Sequence, residues 1–226
     1  MDCRNDQDDC LVIVSNRLPL VLKKDGAGGI RVEMGAGGLV TALAPVLKNR
    51  GGIWIGWPGY VREEDIQAEP ILNRESAKLG YDLKPVQLSR DELDNFYEGF
   101  SNSVLWPLFH DFLGYCSFHQ QYWDAYQKVN TRFAEVIAAS IGPNDLVWVH
   151  DYHLLLVAAQ LRKMGANNRM AFFLHTPFPT LDIFIRLPWR FRVLSSLLEF
   201  DVLGFHTVGD RRNLIGCLRK LVREGQ

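Results

Sequence analysis

The groups best suited to chemistry in this sequence stand at the ends of short apolar runs. Ser15-Asn16-Arg17 follows residues 11–14, and His150-Asp151-Tyr152-His153 follows residues 146–149. His175-Thr176-Pro177 follows residues 171–174, and His206-Thr207 follows residues 202–205. Taken singly, each reads more readily as a turn former than as part of a site. Four such endings together point to one site for a polar ligand. The fork of Arg17 suits bidentate pairing with a phosphate, against a plain surface salt bridge. Gly35-Ala36-Gly37-Gly38 leads into a helical pattern. Glycines let a backbone approach a phosphate closely, and unpaired N–H groups at a helix start favour an anion. Val40 stands where the dinucleotide fingerprint needs a third small residue, and no Gly-Lys-Ser/Thr follows as in a P-loop. A simple turn with a helix cap is the alternative. Tyr97 to His110 is rich in aromatic residues, including Trp106. Such rings offer apolar faces and polar edges to a sugar, although Phe100 and Phe109 read as core. Arg186, Arg190 and Arg192 read as a solvated face. No Ser–His–Asp order and no metal-ligand spacing is legible. His150 and His153, three residues apart without a third ligand, read as hydrogen-bonding or packing groups.

The elements that must position these groups alternate. Continuous apolar runs at 11–14, 53–55, 146–149, 171–174 and 202–205, with a weaker one at 83–88, read as parallel strands covered on both faces. Helical patterns span residues 38–48, 117–140 and 154–164. Ser89 and Glu92 have capping-box spacing at the head of a short helix reaching Phe96. Leu214, Cys217, Leu218 and Leu221 stripe a last helix. Residues 26–38 read as a glycine-rich loop and residues 61–80 as a polar stretch without an assigned element. Strand–helix alternation predicts an α/β fold, doubly wound around a mainly parallel sheet. Residues 1–10 read as a polar leader and 11–226 as one domain.

The bulk numbers agree with a globular chain. Its 226 residues are 47% hydrophobic and 23% charged, with a formal net charge of -1. That balance provides no global field for nucleic acid or an anionic membrane, so an anionic ligand needs local groups. Cys3, Cys10, Cys116 and Cys217 form no CxxC pair, which suits a reducing cytoplasm. No run approaches the roughly 20 apolar residues of a membrane span.

Several motifs in order resemble the trehalose-6-phosphate synthase family. They are Ser-Asn-Arg-Leu-Pro at 15–19, Gly-Ala-Gly-Gly-Leu at 35–39, Trp-Ile-Gly-Trp-Pro-Gly at 54–59 and Phe-Ser-Asn-Ser-Val-Leu-Trp-Pro-Leu-Phe-His at 100–110. Val-Trp-Val-His-Asp-Tyr-His-Leu at 147–154, Phe-Phe-Leu-His-Thr-Pro-Phe-Pro at 172–179 and Leu-Gly-Phe-His-Thr at 203–207 complete the series. The resemblance implies the N-terminal Rossmann-like domain of a GT-B glycosyltransferase, with the second domain absent. It implies transfer of glucose from UDP-glucose to glucose-6-phosphate, with retention and without a metal or other cofactor. It implies that Arg17 grips the acceptor phosphate and that Tyr97 and Asp151 hold the acceptor sugar. Trp106 would line the pocket, with Thr176 beside it selecting the anomer. Gly37 and Gly38 would lie against the donor diphosphate, and His175 would contact the donor sugar. No residue is expected to act as a nucleophile. The missing domain would carry the other donor contacts, so the chain alone is expected to be inactive. A relative using another donor or acceptor, such as a glucosylglycerol-phosphate synthase, and a noncatalytic sugar-phosphate-binding module are the alternatives. The open cleft surface would allow self-association.

Overall fold

The computed structural model describes residues 9–25, 29–64 and 66–222. Most of the leader, with Cys3, and Gly26 and Gly28 of the glycine-rich stretch lie outside the described residues. Strand β1 (Leu11–Arg17) is followed by β2 (Leu20–Lys24) and β3 (Ile30–Met34), then by helix α1 (Gly38–Arg50) and β4 (Ile53–Trp57). Helix α2 (Ala68–Leu79) leads to β5 (Asp82–Pro85). The strands β6 (Leu146–His150), β7 (Met170–Leu174) and β8 (Val202–Phe205) complete a six-stranded sheet in the order β5-β4-β1-β6-β7-β8. Every pairing in it is parallel. The order runs outward from the central pair in both directions, so the chain reverses its winding between β1 and β6. In such sheets that reversal opens a crevice beyond the strand carboxyl ends.

The strand side chains alternate between two cores. Val12, Val14, Ile53, Ile55, Val147, Val149, Phe172 and Leu174 face one. Leu11, Ile13, Trp54 and Leu83 face the other, where Leu43 and Leu47 of α1 and Leu72 of α2 cover them. Helices α5 (Gln120–Ala138), α6 (Val157–Lys163), α8 (Arg190–Leu197) and α9 (Val208–Cys217) cover the first face. In α5, Tyr126, Val129 and Phe133 are fully buried, on the stripe that the periodicity predicts. Burial of this kind contributes about 1.5–3 kcal/mol per large apolar side chain.

Four local readings change. Residues 30–34, taken as loop, are β3, which pairs antiparallel with β2 from Leu20↔Met34 to Lys24↔Ile30. The alternation of Ile30, Val32 and Met34 with charged residues carries that hairpin, and the flanking glycines hide it. The polar stretch 61–80 contains α2, whose apolar side is narrow: Ala68 and Leu72 are its buried apolar residues. Cys10, assigned to the leader, is buried, and its N–H donates to Asp145 Oδ1 at 3.0 Å. The capping box at Ser89 and Glu92 is present, but the helix does not stop near Phe96. Helix α3 (Arg90–Glu92) runs into a π-helical segment, Leu93–Leu105, and then α4 (Trp106–Phe109). Gly99 and Pro107 resemble breakers in sequence. Here an added side chain at Gly99 would meet the Tyr122 ring at 2.6 Å, so glycine serves close packing, and Pro107 sits in the first turn of α4. Four-residue α7 (Leu181–Phe184) precedes α8, and the helix at residues 154–164 begins as a single turn, Tyr152–Leu154.

Candidate functional site

The crevice is built first at the end of β1. The pairing of β1 with β4 shifts register between Val14 and Arg17. Ser15 Oγ donates to the Arg17 carbonyl at 2.7 Å and accepts from Trp54 Nε1 at 2.8 Å, so the irregular turn is pinned from inside. Leu18 N–H donates to the Trp57 carbonyl at 2.9 Å. A Cβ on Gly56 would lie 2.6 Å from the Arg17 carbonyl carbon, so only glycine lets β4 approach there. Trp57 is oriented by its indole N–H, which donates to the Tyr60 carbonyl at 2.7 Å.

These contacts aim the Arg17 guanidinium between two rings. Its centre lies 5.0 Å from the Trp57 ring and 5.3 Å from the Tyr97 ring. Tyr97 comes from the π-helical segment and stacks on His153 at 5.7 Å, and His153 stacks on Tyr152 at 4.1 Å. The series Trp57, Arg17, Tyr97, His153, Tyr152 thus joins four parts of the chain. Desolvation, then the charge of Arg17, pushes the His153 imidazole down to about 3. At neutral pH it is an uncharged ring that does not oppose Arg17. The guanidinium lacks a carboxylate partner among the described residues, and the residue is solvent-exposed. It is an ordered cation open to an anionic ligand.

Asp151 lies across the reversal point, just after β6, with a positive φ of 73°. Its Oδ1 accepts from Tyr152 N–H at 3.0 Å and from His175 N–H at 3.3 Å. Desolvation nevertheless pushes the carboxyl up to about 6; the two backbone donors and the fields of His206 and His110 oppose that shift only in part. A carboxylate whose remaining lone pairs face a polar rim can accept hydrogen bonds from sugar hydroxyls.

His175 follows β7. Its Nε2 lies 3.1 Å from His150 Nδ1, and its ring meets His206 at 5.7 Å. The Thr176 hydroxyl is buried and has no partner among the described residues. Trp106 is 41% exposed and stacks on His110 at 4.4 Å. The Trp106 carbonyl lies 2.7 Å from His110 Nδ1. Trp106 therefore stands outside the Arg17 stack, and His110 beneath it is near enough for its charge to act on the Asp151 carboxyl.

Gly37 and Gly38 open α1, which starts on the carboxyl-end side of the sheet because its other end feeds β4. Gly37 is extended, with φ 167°, and no side chain caps the helix. A Cβ on either glycine would meet nothing within 4 Å among the described residues. Neither backbone conformation nor packing requires glycine at these positions.

Sequence reasoning named Arg17, Tyr97, Asp151 and His175, and the structure brings these four to one rim. It gave no role to Trp57 or His110. Their signal was aromatic or imidazole residues just beyond an apolar run, at 57, and just beyond Trp106, at 110. Of the three arginines, Arg186 and Arg192 are exposed, whereas Arg190 is half-buried, donates to the Leu187 carbonyl at 3.2 Å and lies over Phe191. Two open clefts, of about 420 Å³ between α5, α6 and α8 and about 450 Å³ beside β5, include none of Arg17, Tyr97, Asp151 and His175, although Arg192 lines the first.

Comparison with known proteins shows the family. The model of glycosyltransferase family 20 matches residues 9–225. A trehalose-6-phosphate synthase of Mycobacterium ulcerans is 44% identical over 216 residues, covering 95% of this chain and 42% of the relative. The Escherichia coli protein solved with UDP-2-fluoro glucose superposes with a TM-score of 0.77 at 38% identity, over 94% of this chain and 43% of that one. The alpha,alpha-trehalose-phosphate synthase of Burkholderia xenovorans solved with glucose-6-phosphate gives 0.77 at 31% identity, over 94% and 43%. The chain thus spans less than half the length of the relatives it matches. On the match of nearly its whole length, the chain belongs to glycosyltransferase family 20.

Proposed function

We propose that this chain forms the acceptor side of a glucosyltransferase that joins glucose from UDP-glucose to glucose-6-phosphate, giving trehalose-6-phosphate. The carrying observation is Arg17, an ordered cation held between Trp57 and Tyr97 on the same rim as Asp151. A phosphate paired with the guanidinium would place the hexose over Tyr97 and toward the Asp151 carboxylate. Trp106 would close the pocket, with Thr176 beneath the reacting carbon.

The donor would lie toward the head of α1. Gly37 and Gly38 leave open space where a diphosphate can approach the first-turn N–H groups. His175 would meet the donor sugar. The reaction would proceed with retention and without a metal or cofactor, the leaving phosphate oxygen taking the proton of the attacking hydroxyl on the same face. The protein's part is then orientation and electrostatics. A cytoplasmic location suits these soluble phosphorylated substrates; among the described residues no helix is long and apolar enough to cross a membrane. The curated relatives named trehalose-6-phosphate synthase support this reading over one with another acceptor.

Calorimetry with glucose-6-phosphate and glucose tests it. The chain is expected to prefer the phosphorylated sugar, and Arg17→Ala to remove that preference. Equal affinity of the unsubstituted chain for both sugars would take Arg17 out of the phosphate site.

A further inference from the structure

We infer that His150 is a positioning residue that fixes the tautomer of His175, so that His175 turns an Nδ1–H donor toward the crevice. For the identity of the ligand this rests on the donor site proposed above; the tautomer itself does not.

His150 closes β6 and is 2% exposed, packed against Trp148 with ring centres 4.8 Å apart. Its Nδ1 lies 3.1 Å from His175 Nε2. Its Nε2 is buried and has no partner among the described residues. Register fixes the geometry, because His150 pairs with Phe173 and His175 lies two residues beyond. His175 is also confined by Phe173, at 4.8 Å, and His206, at 5.7 Å.

Both imidazoles are neutral at pH 7. Desolvation holds His150 down to about 3, with the neighbouring His175 adding to the effect. Desolvation, then the His206 charge, lowers His175. One hydrogen therefore lies between the two rings, and it has two origins to choose from. If His175 Nε2–H donated, His150 would accept at Nδ1 and carry its own proton on Nε2. That N–H would be buried without an acceptor, an arrangement folded proteins rarely tolerate. If His150 Nδ1–H donates, only a lone pair on Nε2 is left buried. His175 Nε2 is then the acceptor, and its proton resides on Nδ1. A ring so fixed offers a donor to a sugar hydroxyl without reorganising when the ligand arrives. This gives His150 a task that packing alone does not require, since a leucine could fill the space beside Trp148.

The test is long-range proton–nitrogen NMR on the full chain labelled at its six histidines, with His175→Gln to assign the His175 signals. The unsubstituted chain is expected to show His175 in a single Nδ1–H form. His150→Leu should shift His175 toward the Nε2–H form, and His150→Asn, whose amide N–H can replace the Nδ1 donor, should keep the Nδ1–H form. Backbone spectra of the variants report whether the fold is intact, and the unsubstituted chain tests the assignment whether or not they fold. Adding UDP-glucose at millimolar concentration should move the His175 Nδ1 signal. If the tautomer is as stated and UDP-glucose leaves that signal in place, the donor-site reading fails and the role of His150 stands. An Nε2–H His175 in the unsubstituted chain, or an unchanged tautomer in a folded His150→Leu chain, overturns the inference.

Discussion

Asp151→Asn should make the chain more stable at neutral pH and should do so only there. Desolvation pushes the carboxyl from its usual 3.8 to about 6. A group whose folded value lies above its unfolded value binds its proton more tightly when folded. The native state is therefore favoured at low pH, and stability falls as the pH rises from about 4 through 6. At about 1.4 kcal/mol per unit, the ionised carboxyl costs the fold on the order of 2–3 kcal/mol at neutral pH. Asparagine keeps the Oδ1 acceptor for the Tyr152 and His175 N–H groups and tolerates the positive φ. Its amide protons introduce a cost that does not vary with pH. The diagnostic quantity is therefore the change, between about pH 4 and about pH 7.5, in the stability difference between variant and parent. Urea denaturation at both values measures it. The variant should gain on the parent by about 2 kcal/mol across that interval. A difference that stays flat, or one that favours the variant in acid, would refute the claim that Asp151 is a strained carboxylate kept for binding.

Other outcomes follow from the same geometry. Arg17→Lys keeps the charge and loses the fork between Trp57 and Tyr97, and should lower glucose-6-phosphate affinity by about tenfold in calorimetry while glucose binding is unchanged. Gly38→Ala meets no obstacle among the described residues, so the melting temperature should hold or rise while UDP-glucose affinity falls about tenfold or more. Glu92 is buried and bound by Arg132, with Lys128 at 3.0 Å. Although desolvation raises its carboxyl, these partners and the Ser89 N–H hold it at about 2. Being depressed, it contributes stability that is present above its usual 4.5 and lost as the pH falls toward 2. Arg132→Met should cost about 2–4 kcal/mol in urea denaturation at neutral pH, less than a fully orphaned charge because Lys128 remains.

The frame of this site was legible because strand order and strand-end chemistry are written locally. The runs at 11–14, 146–149 and 171–174 are apolar on both faces, so their polar terminators Arg17, Asp151 and His175 had to emerge at the sheet's edge. What was hidden depends on contacts distant in sequence. Trp57 reads as one more buried aromatic until Gly56 brings β4 against Arg17. The long irregular helix from Arg90 to Phe109 was obscured because Gly99 and Pro107 have local meanings that tertiary packing overrides. The β2–β3 hairpin was hidden by its glycine neighbours. His150 read as a hydrogen-bonding or packing group with no partner assigned, because that partner lies 25 positions away.

The central claim is that Arg17, Trp57, Tyr97 and Asp151 make one pocket for a phosphorylated hexose where the sheet reverses its winding. Mapping backbone, indole and guanidinium NMR shifts during a glucose-6-phosphate titration tests it most directly. The Arg17 guanidinium signals, the Trp57 indole N–H and the amides around Tyr97 and Tyr152 should move together with one binding constant. Shifts confined to the cleft lined by Lys163 and Arg192, with Arg17 and Trp57 unmoved, would contradict it.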